Sequence, residues 1–452
     1  MQVRLLKEVK DEVTNLLADL VRINTTNPPG NETVAAQYLA GQLGTDGFRC
    51  ELFESAQGRG STITRMKGTG EKPSLLLLSH LDVVAANAEE WSVDPFSGAV
   101  KDGFVWGRGA LDMKGMTAIE VMTMKLLKRN DVKLKGDVIL AATADEEQGG
   151  LAGVDYLLRN YPQKILADYV LNEGGGLALP TQNRNVYTVQ TAEKGLLWFK
   201  VRVKGTPGHG STPSNADNAI IRMGRVVEIL GNYRSRISLV PTLRQFLSEV
   251  AKEDAGLRTP FSRLLANPEL SDQVLSELSK IAGPLVEEIR PRIRMTITPT
   301  IIHGGVKENV IPSECEATFD CRILPGQNTT EALQLIKKLL KEAGVEKVEF
   351  ETIQASEPSE SMMETPLYDV ITSVLKEFEP TCGVTASLMT GGTDSRFFRE
   401  RGSVCYGFHP RRPEAPFENT LKREHGIDER ISIENLVFGT SVLYEVVKKF
   451  MS

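Results

Sequence analysis

Cysteine is scarce in this chain. Five occur in 452 residues, and Cys50, Cys315, Cys321, Cys382 and Cys405 form no CxxC pair. An odd, scattered set fits the reduced thiols of a cytoplasmic protein better than a disulfide framework or a thiolate zinc site. No run of about 18 apolar residues occurs, so no membrane-spanning helix is expected. The opening "MQVRLLKEVKDEVTNLLADLV" intersperses charges at helical spacing and reads as an amphipathic surface helix, not a signal peptide. A basic excess is also missing. The formal net charge is −6 and the basic residues are scattered among acidic ones, which argues against a nucleic-acid partner. The chain lacks HExxH, a GxSxG elbow and a P-loop, which weakens thermolysin-like, serine-hydrolase and nucleotide-dependent chemistries.

What is present is a globular composition, 41% hydrophobic and 25% charged, over a length that suggests two domains. Asn31 is placed to cap a helix starting at "NETVAAQYLAGQL". Apolar strand candidates "SLLLLSH" (74–80), "DVILAATA" (137–144) and "ADYVLNE" (167–173) alternate with helical stretches at 116–130 and 151–161. That alternation indicates an α/β fold, a mainly parallel sheet with helices on both faces. From about Ala192 the pattern becomes α+β. "RMTITPTIIHGG" and "ECEATFDCRILPG" read as an antiparallel pair, "TTEALQLIKKLLKEAG" as a helix and "VEKVEFETI" as a strand, with extra, mainly helical sequence near 234–290. The chain then returns to the first domain. The expected division is 1–191 and 361–452 for one domain, with 192–360 inserted.

Ligands of parallel sheets bind beyond the carboxyl ends of the strands, and acids collect there. "LLLLSHLD" places His80 and Asp82 on one face, where Asp82 can orient the imidazole. Asp112 lies among glycines in "WGRGALDMKG", "DEEQGG" ends the next strand, and Glu173 ends the one after. His425 stands in "KREHGIDERI" before the last helix. Two carboxylates about 4 Å apart repel by about 4 kcal/mol at an effective dielectric of about 20, so a buried "DEE" needs positive charge. Two histidines and several carboxylates form an N/O donor set for zinc, cobalt or manganese, and a pair of ions would offset the repulsion.

The series "HLD", "GRGALDMKG", "DEEQGG", "NE" and "HGIDE" resembles that of the aminoacylase, acetylornithine deacetylase, succinyl-diaminopimelate desuccinylase and carboxypeptidase G family of dinuclear metallohydrolases. The resemblance covers nearly the whole chain apart from 234–290. It implies a zinc-peptidase-like catalytic domain with an inserted lid and dimerisation domain, and two divalent ions, zinc foremost. By motif, His80, Asp112 and Glu173 would hold one ion. Asp112, Glu147 and His425 would hold the other, and the Asp112–Met113 peptide would be cis. Glu146 would be the general base and acid, and Asp82 would orient His80. His209, Asn309, Arg322 and the loop Gly391-Gly392-Thr393 would contact substrate. Glutamate at 173 tilts the resemblance towards N-acyl amino acids. A dipeptidase or carboxypeptidase is the next reading; a non-catalytic metal-dependent binder and a serine hydrolase using Ser211 beside His209 rank lower. The expected state is a cytoplasmic homodimer, with no membrane or nucleic-acid partner. His303 and His409 carry no assigned role.

Overall fold

A computed structural model of the chain describes residues 2–181, 183–345, 347–414 and 422–452. It falls into two compact units, Met1–Thr191 with Ser361–Ser387 and Thr393–Ser452, and Ala192–Glu360 with Leu388–Gly392.

In the first unit four strands run parallel in the order Val138–Thr143, Leu75–His80, Tyr169–Asn172, Val404–Gly407. "LLLLSH" and "VILAAT" are buried at every position, the mark of strands covered on both faces. Gly60–Met66 and Cys50–Glu54 extend the Val138 side antiparallel. The chain leaves Leu75–His80 for the strand on one side and then crosses to the strand on the other. His80 therefore ends its strand at a topological switch point, where the loops diverge and a crevice opens.

Helix Lys114–Arg129 is buried at every residue from Lys114 to Leu127. It is enclosed by the sheet and by helices Gln2–Arg22 and Ile433–Met451. Its charged groups need partners: Lys125 Nζ finds Glu12 at 2.5 Å and Asp46 at 3.1 Å. Glu120 fares differently. Neither of its oxygens meets hydrogen-bond geometry, and burial pushes its pKa well up, opposed by the Ser79 hydroxyl. Such a group stays protonated in the folded chain after the unfolded chain has ionised, so stability falls as pH rises above about 4.5. Glu120→Met should therefore stabilise the protein by about 1–3 kcal/mol, with the advantage widening between about pH 5 and about pH 8. Urea denaturation at both pH values checks this, and a variant no more stable at the higher pH would refute it.

Two local expectations are corrected. The stretch 151–161 is helical but not one continuous α-helix: a π-helical turn at Leu151–Asp155, kinked at Gly153, leads into short α-helices Tyr156–Asn160 and Pro162–Ile165. Gly153 departs from helical angles because its backbone presses on Ala144, where a Cβ would come within 1.7 Å of the carbonyl oxygen. Asn31 stands at the start of helix Glu32–Gly44 but makes no side-chain cap bond. The Gly58 carbonyl takes the Thr33 N–H instead, at 3.0 Å.

The second unit has an antiparallel sheet in the order Thr296–Gly304, Glu314–Ile323, Gly195–Lys204, Val348–Ser356. Residue 346, in the stretch read as the last of these strands, lies outside the described residues. Burial alternates along the two central strands. Their inward residues, with Phe199 stacked on Phe319 at 5.2 Å, pack against helices Ala219–Gly231 and Thr329–Glu342. The extra sequence forms helices Pro241–Glu253, Ala255–Ala266 and Ser271–Ile289, with Leu247, Phe261 and Leu278 fully buried. Among the described residues no helix is long and apolar enough to cross a membrane.

Candidate functional site

The carboxyl ends of the parallel strands bring two groups of donors together: His80, Asp112 and Glu173, and Asp112, Glu147 and His425. Within each group the ligand atoms lie within 4.8 Å of one another. Asp112 belongs to both. Its Oδ1 lies 3.0 Å from His80 Nε2 and its Oδ2 lies 2.9 Å from His425 Nε2. Glu173 Oε2 is 3.5 Å from His80 Nε2, and Glu147 Oε1 is 3.2 Å from His425 Nε2. The Asp112–Met113 peptide is cis.

Consecutive residues of a strand point to opposite faces, so the backbone must bend for Glu146 and Glu147 to serve one place. The bend begins one residue earlier, at Asp145, whose φ is +74°. A 3₁₀ turn over Glu146–Gln148 follows, then Gly149 and Gly150, both left-handed. Asp82 anchors this turn: Oδ1 accepts the Glu146 N–H and Oδ2 the Glu147 N–H, each at 3.1 Å. His80 Nδ1 lies nearer the Asp82 backbone carbonyl, at 2.9 Å, than the carboxylate, at 3.5 Å. Asp82 thus holds the ring chiefly through its main chain, and its side chain is committed to the glutamate turn.

The charges suit divalent cations. Burial opposes a charged His80 ring, yet Glu173, Asp112 and Asp82 hold its pKa well above normal. Hydrogen bonds that the His425 ring donates to Asp112 and Glu147 push its pKa up to about 10. Burial, then the charge of Glu173, raises Glu146 well above the carboxylate range, and burial takes Glu173 up to about 8. Asp112 moves the other way, its burial outweighed by the two histidines. Protein cations alone leave negative charge in excess, which the acids and imidazoles meet by holding protons. Divalent ions would replace those protons, because carboxylate and neutral imidazole are their ligand forms.

Further residues hold this site that the motifs did not single out. Glu429, fully buried, accepts the N–H groups of Leu111 at 2.7 Å and Asp112 at 3.1 Å. Arg108 pairs with Glu429 at 2.7 Å and donates to the His425 carbonyl at 3.2 Å, so one ion pair fixes two donor-bearing segments. Both belong to motifs quoted above, "GRG" and "HGIDE". Asp394 is buried with its pKa pushed up to about 7 by that burial.

The remaining candidates divide. In the second unit His209 pairs with Val310, and the Asn309 carbonyl accepts the Gly210 N–H at 2.8 Å, so His209 and Asn309 meet at one short antiparallel strand pair. Ser211 Oγ lies 2.7 Å from His209 Nδ1, an exposed local contact. Arg322 is on another strand and grips Asp320 with two bonds of 2.7 and 3.1 Å. Gly391 is half-buried and Gly392 exposed, both also in the second unit. Thr393, in the first unit, is fully buried, its hydroxyl accepting the Ser395 N–H at 3.1 Å.

The sequence profile of peptidase family M20/M25/M40 matches residues 76–449. N-fatty-acyl-amino acid synthase/hydrolase PM20D1 of Homo sapiens is 29% identical over 401 residues, covering 84% of this chain and 75% of that protein. Aminoacylase-1 of Sus scrofa is 25% identical over 452 residues, covering 99% and 97%. Among solved structures, an M20 family metallo-carboxypeptidase from Sulfolobus solfataricus superposes with a TM-score of 0.71 at 19% identity, covering 97% of this chain and 99% of that one. That last likeness is one of fold.

Proposed function

This chain belongs to peptidase family M20/M25/M40 and is a hydrolase of amide C–N bonds; we propose that it cleaves an N-acyl amino acid or a short peptide, the former preferred. The observation that carries this reading is Asp112 standing between two histidines with one oxygen towards each.

His80, Asp112 and Glu173 would hold one divalent ion and Asp112, Glu147 and His425 a second, zinc foremost, with cobalt or manganese as substitutes. When bound, the ions supply Lewis acidity, polarising the amide carbonyl and lowering the pKa of water. Glu146 does the proton work: its carboxylate takes a proton from water and returns it to the leaving nitrogen. The Asp82 carboxylate keeps Glu146 in place by accepting its backbone N–H. His209, Asn309, Arg322 and the 391–393 loop would bind the substrate's carboxylate and oxyanion. Arg322 must then share or exchange its hold on Asp320.

The test is a panel of acetyl-, succinyl- and formyl-amino acids against dipeptides, run with zinc, cobalt or manganese after chelation. Turnover of acyl-amino acids that vanishes with chelator and returns with metal is expected. Chelator-resistant activity, or none on either class, would end the proposal.

A homodimer through the second unit is also part of it. The edge strand Thr296–Gly304 leaves Ile301 and Ile302 more than half exposed, and the part-exposed Ile220 of helix Ala219–Gly231 lies beside its end at Gly304. Light scattering should give twice the chain mass, and Ile302→Asp should shift it to the monomer. A wild-type monomer would refute the dimer. Among the described residues the five cysteines form no disulfide, which supports a cytoplasmic setting.

A further inference from the structure

Asp145 is not glycine, yet it takes a left-handed φ of +74°, a conformation that persists only where surroundings enforce it. Its carboxylate is held from three directions. Oδ1 accepts from Arg59 Nη2 at 2.6 Å and from Asn27 Nδ2 at 3.2 Å; Oδ2 accepts the Ala152 N–H at 2.8 Å. The same Asn27 amide nitrogen donates to Asp82 Oδ2 at 2.9 Å, while Arg59 Nη1 donates to Asn27 Oδ1 at 3.2 Å and so fixes which way the amide faces. Arg59 Nη2 also pairs with Glu32 at 2.8 Å. Asn27 reaches this point because its own N–H donates to the Val83 carbonyl at 2.9 Å and the Thr25 hydroxyl to the Leu81 carbonyl at 2.6 Å. These bonds pin the loop to the end of the His80 strand.

We propose that Asn27 and Arg59 are positioning residues for the hydrolysis: by bridging Asp82 and Asp145 they hold the turn that places Glu146 and Glu147 side by side. This rests on the reading of Glu146 as proton carrier and Glu147 as ligand. The site is specific in its chemistry. One amide must donate to two carboxylates, which an aspartate cannot do. One planar guanidinium must serve Asn27, Asp145 and Glu32 at once, which a lysine ammonium cannot do with fixed directions. Loss of either frees Asp145 to relax from its left-handed angle and leaves Asp82 to hold the two glutamate N–H groups alone.

The experiment compares Asn27→Asp, Arg59→Lys and Arg59→Ala with wild type in three readouts. These are kcat and KM, calorimetric zinc titration of the metal-free protein, and amide hydrogen exchange over 144–150 against the rest of the chain. Asn27→Asp and Arg59→Ala should lower kcat about 10–100-fold, the usual cost of losing an outer partner, with KM changed less than about threefold. Exchange at Glu146–Gln148 should rise while the sheet strands keep their protection, and the weaker zinc step should weaken further. Arg59→Lys should fall between wild type and Arg59→Ala. Unchanged exchange at 144–150 with unchanged kcat would overturn the proposal. So would a loss of activity that tracks global exchange, because that marks general destabilisation. The exchange readout stands apart from the catalytic reading: an active Glu146→Gln enzyme would sink the proton-carrier role yet leave the loosened turn measurable in Asn27→Asp.

Discussion

Glu146→Gln is expected to cut turnover by on the order of 10²–10⁴, the usual worth of general acid–base catalysis, with metal content nearly intact. The amide keeps the shape of the side chain, and the Glu146 N–H stays on Asp82, so the turn is preserved. What is lost is the proton that must travel from water to the leaving nitrogen. Glu147→Gln is the control: a neutral amide oxygen is a poor ligand, so metal content should fall towards one ion per chain and excess metal should restore part of the rate. Rate and metal content measured on both variants decide the assignment. A Glu146→Gln enzyme that works, or that recovers with excess metal, means the base lies elsewhere.

Asp112→Ala should be more damaging still to metal binding. Every other donor belongs to one group, but Asp112 belongs to both. Its removal also leaves His80 and His425 without the carboxylate oxygens now 3.0 and 2.9 Å away. Elemental analysis should find well under one ion per chain. Activity should fall by more than the roughly 10–100-fold that an outer partner is worth, and added metal should not restore it. A variant retaining two ions would show that Asp112 bridges nothing.

Three strands of the parallel sheet were legible in the sequence because they are apolar almost to their last residues, which a chain tolerates only when both faces are covered; the fourth, Val404–Gly407, is too short to signal itself. The gathering of His80, Asp112, Glu147 and Glu173 was legible for a related reason: acids that end apolar strands in βαβ succession share an edge. The paired glycines at 149–150 signal a bend after the Val138–Thr143 strand, but nothing local signals that it begins at a strained aspartate, Asp145. Asn27 and Arg59 escaped notice because the residues they hold are distant, 118 positions separating Asn27 from Asp145, and a loop asparagine in "NTTNPPGNE" reads as turn chemistry. The broken stretch at 151–161 shows the same limit. Its helical periodicity is real, but the contact of Gly153 with Ala144 depends on tertiary packing that periodicity does not contain.

His425 and Glu429 come from a segment tied down late. The strand Arg430–Ser432 pairs with Phe104–Trp106, and the Ile433 N–H donates to the Gly103 carbonyl at 2.9 Å. The central sheet likewise has Leu75–His80 on one side of Tyr169–Asn172 but no strand on the other until Val404–Gly407 is made. At the ribosome's pace of about 5–20 residues per second, roughly 20–70 s separate the emergence of His80 from that of His425. Hydrolytic capacity therefore cannot grow gradually along the nascent chain. It arises at once, when the His425 segment joins the donors already made, and a nascent chain without that segment carries only part of the donor set.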